Sequence, residues 1–294
     1  MSELDDLRAA TRDLLQDKAP VRANTEDNPG IWKQLAVEMG LAALATEAPL
    51  SWTAAVVEEA GRVLLRAPFL QTAVAAAVLP DVPGLADGSL TAALALDGGH
   101  DAVPFAATAD VLLTTKGDEL WVVDTFSAEP VDPLDLTRPA ARVQVSAGRH
   151  AGDAQRARDL ESALVAAECV GAAQRVLELV VEHLLVRTQF GRPLGSFQAL
   201  RHKVADLTVL VEAARSTAWY AATEPDDFAV VAPLARALAS EAFVTVTGES
   251  IQLFGGIGFT WEHDAHLYFK RAWTTALAAD SKALKQLAFD RSGV

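Results

Sequence analysis

Cysteine is nearly absent. Cys169 is the only one in 294 residues, so the chain cannot close an internal disulfide, and a reducing cytoplasm suits it. Basic residues are scarce as well: 25 Lys and Arg face 39 Asp and Glu, a net charge of −14. A surface of that sign repels phosphate backbones, so no nucleic-acid partner is expected. The longest apolar run, around Phe69 to Leu79, is too short to cross a bilayer and is followed by Pro80 and Asp81, so no membrane partner is expected either. The opening residues, Met1-Ser2-Glu3-Leu4-Asp5-Asp6, lack the basic and apolar regions of a signal peptide, and a cytoplasmic protein is expected. Aromatic residues are only 6% of the chain, with two tyrosines. That scarcity, with abundant alanine, favours helices over sheet.

What is present falls into three stretches. Residues 1–88 read as helical. Leu4, Leu7, Ala10, Thr11 and Leu14 keep helical spacing behind acidic Glu3, Asp5 and Asp6, which suit a helix N-terminus. Asn28-Pro29-Gly30 predicts a turn, and Ile31 to Met39 a helix ended by Gly40. Ser51 is placed to cap a helix through Val56, Val57, Ala60, Val63 and Leu64, which Pro68 would stop. The six tryptophans are expected mostly as core or interface anchors.

Residues 89–150 read as a small β unit of four or five strands. Leu90–Leu96, Val111–Thr115, Leu120–Val123 and Arg142–Val145 have strand character, with a hairpin turn at Lys116-Gly117-Asp118. No metal site is expected there or elsewhere. Residues 151–294 return to longer helices. One follows Leu160, Leu164, Ala167, Gly171, Val176, Val180 and Leu184; the next Leu200, Val204, Leu207, Val211, Ala214 and Ala218. A third, capped by Asp226 and Asp227, runs to about Phe254, and a fourth covers His263 to Ala288 with a break near its middle. Short connections between them predict an antiparallel four-helix bundle.

Two glycine-broken loops interrupt that bundle. The first is Arg187-Thr188-Gln189-Phe190-Gly191-Arg192-Pro193-Leu194-Gly195-Ser196-Phe197-Gln198, read as a helix end, a tight loop and a helix start. It can offer a planar cation to a phosphate and an aromatic face to a base, or serve simply as a connection. The second, Gln252-Leu253-Phe254-Gly255-Gly256-Ile257-Gly258-Phe259-Thr260, ends a helix with three glycines that let backbone approach a ligand. Two such loops in one bundle can converge on an extended, phosphate-bearing cofactor.

Together, in this order and two helices apart, they resemble the C-terminal domain of the flavin-dependent acyl-CoA dehydrogenases. The resemblance covers Leu160 to about Arg271, and more faintly Trp32 to Pro68, where Gly40, Glu58, Glu59, Gly61 and Arg62 fall in the family's pattern. It implies a mainly α fold with a small β domain: a helical N-terminal domain, a short β domain and a C-terminal bundle. It implies FAD as cofactor and an acyl-CoA as substrate. Arg187 looks like the residue that grips the FAD diphosphate of a neighbouring subunit, Phe190 the aromatic against adenine, and Gln189 and Gln198 polar contacts near it. Gln252, Gly255 and Gly256 look like the loop that meets FAD from the opposite subunit. These residues imply an oligomer in which flavin bridges two chains.

The chain departs from the family at its chemical end. The Glu-Pro-x-Ala-Gly-Ser-Asp loop that holds the flavin ring is not found; Gly98-Gly99-His100-Asp101 does not reproduce it. Where many members place the catalytic glutamate, this chain has Ala279, beside Asp280 and Ser281. A second group of members keeps its base at the position of Glu161, which makes Glu161 the candidate base here; with Asp159 it equally suits a helix N-terminus. Glu262 and His263 follow the glycine loop and suit either the site or a helix start, Glu168 suits a structural hydrogen bond, and Cys169 a small buried filler. The resemblance is to the small subunits that pair with a full-length partner chain, as heterotetramers, on sterol side-chain CoA thioesters. The alternatives are a self-sufficient homo-oligomeric dehydrogenase using Glu161, and a scaffold subunit that has lost flavin.

Overall fold

Ser2 caps the first helix through a reciprocal pair: its hydroxyl accepts from the Asp5 amide, and the Asp5 carboxylate accepts from the Ser2 amide. In the computed structural model, which describes residues 2–293, this helix is α1 (Glu3–Lys18). After a 3-10 turn (Val21–Thr25) come α2 (Pro29–Trp32), continued by a wider turn to Glu38, then α3 (Leu44–Glu47), α4 (Leu50–Arg62), α5 (Phe69–Val78) and α6 (Pro83–Ala86). Gly40, with φ at +70°, stops the α2 segment where expected. Three local expectations fail. Asn28-Pro29-Gly30 is the start of α2, because Pro29 suits the first turn. Pro49, not Ser51, precedes α4, and α4 ends at Arg62 with Leu64 left-handed, so Pro68 opens α5 rather than ending α4.

The β unit holds seven strands in two sheets. Strands β1 (Ala92–Ala95), β3 (Val111–Lys116), β4 (Glu119–Val123) and β7 (Arg149–Asp153) form one, in the order β1-β3-β4-β7. Strands β2 (Val103–Pro104), β5 (Phe126–Val131) and β6 (Ala140–Val145) form the other, in the order β2-β6-β5. Ala93, Val103, Leu112, Val123 and Val143 make a small core between them. The β3–β4 hairpin turns at Gly117-Asp118 as the sequence implies. The expected count falls short because β2 is only two residues long, β5 contains Pro130 and β7 is polar; all three lie at sheet edges, where a missing donor or apolar face is tolerated.

The bundle begins with α7 (Gln155–Val186), 32 residues long, followed by strands β8 (Thr188–Gln189) and β9 (Arg192–Pro193), α8 (Gln198–Ala222) and α9 (Phe228–Phe254). Its last stretch is two helices, α10 (Ala265–Ala278) and α11 (Ser281–Ser292), separated at extended Ala279 and Asp280. Asp227 precedes α9 as expected, but its carboxylate accepts the Tyr220 hydroxyl at 3.0 Å instead of capping the helix. The stretch Phe228–Phe259 is long and apolar enough to cross a membrane; most of it is buried within the bundle. No described tryptophan is fully buried, and Trp261 and Trp273 are exposed.

Helix α4 crosses α7 at a double glycine contact. A methyl on Gly61 would overlap the Glu168 carbonyl, and one on Gly171 would overlap the Glu58 carbonyl. That close crossing brings two buried carboxylates, Glu58 and Glu59, against arginines from two other helices, α1 and α8. Glu58 accepts from Arg8 at 2.7 Å, from Trp219 at 3.0 Å and from Arg215; Glu59 accepts from Arg12 at 2.7 and 2.8 Å. Every oxygen of both groups is thereby paired, the condition for carboxylates at such depth.

Candidate functional site at the ends of the long bundle helices

Helix α7 ends at Val186, and Arg187 leaves it with extended backbone. The expected tight loop is a two-residue β-hairpin: Thr188 pairs with Pro193 and Gln189 with Arg192 across Phe190-Gly191. Both turn residues are left-handed, with φ at +55° and +78°, as the twist of such a hairpin requires. Gly191 takes this at no cost, whereas a phenylalanine loses about 1–2 kcal/mol. Phe190 is nonetheless 89% exposed. Its ring meets the edge of Phe197 at 6.1 Å, and Arg192 lies 4.0 Å over the Phe197 face. The hairpin thus presents a strained aromatic at its exposed tip.

The other predicted groups of this loop differ in readiness. The Arg187 guanidinium has no hydrogen-bond or ion-pair partner among the described residues, and the Gln252 amide likewise has none. Gln189 turns its amide onto the Thr188 carbonyl at 2.9 Å, and Gln198 lies 3.4 Å from His202. Arg201, a residue the sequence reading passed over, clamps the Gly195 and Ser196 carbonyls at 2.9 Å each.

Helix α9 terminates at Gly255, whose φ of +68° and ψ of −143° only glycine adopts readily. The chain then makes a 3-10 turn over Gly255–Phe259. The Cα faces of Gly255 and Gly256 look into open space, while Gly258 is pressed on the Ile251 carbonyl. The first two glycines therefore leave room for a ligand, and the third serves packing.

One aromatic ties the two loops together. Phe254 lies between His183, at 5.4 Å, and His263, at 4.0 Å between ring centroids. His183 sits one turn before Arg187. Burial lowers the pKa of both imidazoles; Arg187 adds to the effect at His183. At His263 Asp264 opposes the shift, while His183, Arg22 and His266 reinforce it. His263 also accepts the Ala265 amide at 3.1 Å, so it is a helix-start residue as well as a packing partner of the glycine loop.

These features fit the diphosphate and adenine portion of FAD: an uncommitted planar cation, an exposed aromatic, an uncommitted amide and backbone cleared of side chains. The chemical end is arranged differently. Glu161 is half-buried and bound by Arg236 of α9, Nη1 to Oε2 at 2.9 Å. It stands about 39 Å along α7 from Arg187 at 1.5 Å per residue, so one chain does not bring the candidate base to its own cofactor loops. Ala279 carries no acid, and Asp280 beside it spends its carboxylate on the Lys282 amide at 3.0 Å.

Glu168 is held between Arg271 at 2.9 Å and Arg138 at 2.6 Å, and Arg271 also binds Asp135 and Thr137. This network fastens the loop after β5 to the bundle, a structural role. Burial pushes the Cys169 thiol up to about 12, which removes it as a nucleophile. The partners Arg236 and Arg271 were not singled out from the sequence; Arg236 is the lone cation of an apolar helical stretch and so requires a buried acid, whereas Arg271 follows Lys270 and carries no such signal.

Residues 151–280 match the family model described as "Acyl-CoA dehydrogenase, C-terminal domain". The chain is 41% identical over 282 residues to "Acyl-CoA dehydrogenase IpdE2" of Mycobacterium tuberculosis, covering 90% of this chain and 87% of that protein. The chain belongs to the acyl-CoA dehydrogenase family. A second IpdE2, from Mycolicibacterium smegmatis, is 38% identical over 297 residues, 94% of each chain. Among solved structures, the "Tcur3481-Tcur3483 steroid ACAD" variant superposes with a TM-score of 0.87 at 26% identity, over 99% of this chain and 98% of that one. The family and fold implied by the two loops are thus borne out, and the chain is an FAD-dependent oxidoreductase by family. The two loops lie at the C-terminal end of α7 and Glu161 near its start.

Proposed function

We propose that this chain is one subunit of a flavin-dependent dehydrogenase that acts on the α,β carbons of a steroid-derived CoA thioester, and that it lends its two loops to an FAD shared with a full-length partner chain. The observation that carries the proposal is the pairing of the uncommitted Arg187 and exposed Phe190 with the open Gly255-Gly256 turn, while Glu161 is bound by Arg236 and Ala279 carries no acid. The names of the relatives support the substrate class: the matched structure is called a steroid ACAD, and its printed name joins two gene products.

In this reading Arg187 neutralises the diphosphate, Phe190 lies against adenine, Gln198 and Gln252 donate or accept at the same half, and Gly255 and Gly256 let the backbone come close. FAD, when bound, supplies the two-electron acceptor. The base that removes the α-proton comes from the partner. The test is the visible spectrum of the protein purified alone and then with the partner that copurifies. Flavin absorption stoichiometric only in the complex supports the proposal. A chain that alone forms a stable homo-oligomer, binds FAD and oxidises an acyl-CoA overturns it, and a colourless complex points to a scaffold subunit.

A further inference from the structure

A cleft of about 480 Å³ opens between α1, the turn after it, the end of α4 and the middle of α7. Its size lies within the range of small-molecule sites. None of the proposed FAD contacts lines it. Four guanidinium groups do, from Arg12, Arg22, Arg62 and Arg175, in a chain whose net charge is −14. Two carboxylates, Glu59 and Asp264, share the wall.

The donors outnumber their acceptors. Glu59 is occupied by Arg12 and also touched by Arg8 at 3.5 Å, and Asp264 faces Arg22 at 2.7 Å. Arg62 gives Nη1 and Nη2 to Glu178, at 3.1 and 2.6 Å. Arg175 uses only Nη1, on Glu178 at 3.2 Å and Glu182 at 3.1 Å. Its Nε and Nη2, the Nη1 of Arg12 and the Nη1 of Arg22 have no acceptor among the described residues. The remaining wall is Leu15, Gln16, Pro20, Val21 and Val63; Leu15 and Val63 are buried, and Pro20 and Val21 offer its apolar surface.

We propose that this cleft is a second ligand site, for a small amphiphilic anion that seats a carboxylate or phosphate on Arg22 and Arg175 and an apolar body on Pro20 and Val21. Guanidinium forks match both anions in geometry, and the apolar surface beside them favours an anion that carries an apolar body. Arg22 also donates to the Trp261 carbonyl at 3.0 Å, just beyond the glycine loop, so an anion on Arg22 is linked to that segment through this one side chain.

The site is tested by calorimetric titration of the protein, with its copurifying partner if one is present, using decanoate, decyl phosphate and decanol. Saturable binding of decanoate or decyl phosphate at one per chain, absent for decanol, is expected; which of the two binds identifies the anion. R22Q and R175Q, made separately, should each weaken that binding at least ten-fold, and R142Q, remote in β6, should not. Glu178 keeps Arg62 in the R175Q variant, so the fold stays supported. Equal binding of decanol, no saturable binding, undiminished binding in both variants, or one-for-one displacement of the probe by FAD would each overturn the proposal. The readout needs neither flavin nor turnover, so it stands or falls apart from the proposed function.

Discussion

Gly171 of α7 lies directly on the backbone of Glu58 in α4, with no room between them for a methyl group. The neighbouring Gly61 makes the reciprocal contact on Glu168. Glycine is costly in a helix interior by about 0.5–1 kcal/mol relative to alanine, so its presence twice at one crossing marks a packing requirement. G171A should therefore destabilise instead of following helix propensity, by about 3 kcal/mol or more in urea unfolding, because the obstacle is backbone and cannot rotate away. A stabilised G171A protein would contradict the close crossing.

The Arg187 side chain makes no hydrogen bond or ion pair among the described residues. R187Q should leave the melting temperature within a degree or two while removing most of the flavin from the purified complex. R187K should recover only part of it, since an ammonium lacks the planar fork. Flavin content per chain, read from the visible spectrum against protein absorbance, checks both.

Phe190 presents the opposite balance. F190G relieves a left-handed phenylalanine and should stabilise the flavin-free protein by about 1 kcal/mol. The same change removes the aromatic tip and should weaken FAD retention at least ten-fold. Thermal unfolding and flavin dissociation measured on one preparation separate the two effects.

Glu161 is answered for by Arg236. E161Q keeps an oxygen for that guanidinium but removes its counter-charge, and a loss of about 1–2 kcal/mol is expected for a pair with partial solvent access. Turnover of the FAD-loaded complex should stay within about three-fold of the parent protein. If turnover disappears with FAD still bound, Glu161 is the base and the partner is not.

The imidazoles flanking Phe254 should make the loops acid-sensitive. Both His183 and His263 have pKa values lowered from the ordinary 6.5, chiefly by burial. The unfolded chain then binds more protons, so their contribution is full above about pH 6.5 and is lost as pH falls through the lowered values. Melting temperature and flavin retention should both fall between pH 7.5 and 5, and H183Q should flatten the fall.

Much of this was legible before any coordinates. The helical order, the Gly40 and Gly117 turns and the two glycine loops follow from residues whose backbone preferences leave few choices. The hairpin at Phe190 was not legible, because strands of two residues carry no alternation and phenylalanine does not announce a left-handed turn. Strand β7, with Arg149, His150 and Asp153, reads as loop; only its pairing with β4 makes it a strand. The lone Arg236 announces that a buried acid exists, but choosing Glu161 as its partner, or Asp135 for Arg271, requires the packing that brings them together.

The length of α7 has an evolutionary consequence. Its two ends are too far apart to serve one reaction centre within one chain, so a change at one end leaves the other's task untouched. A duplicated ancestor can then let one copy decay at its Glu161 end and the other at its Arg187 end. Each copy survives only in the other's company, and a self-sufficient enzyme becomes an obligate pair without acquiring a new contact.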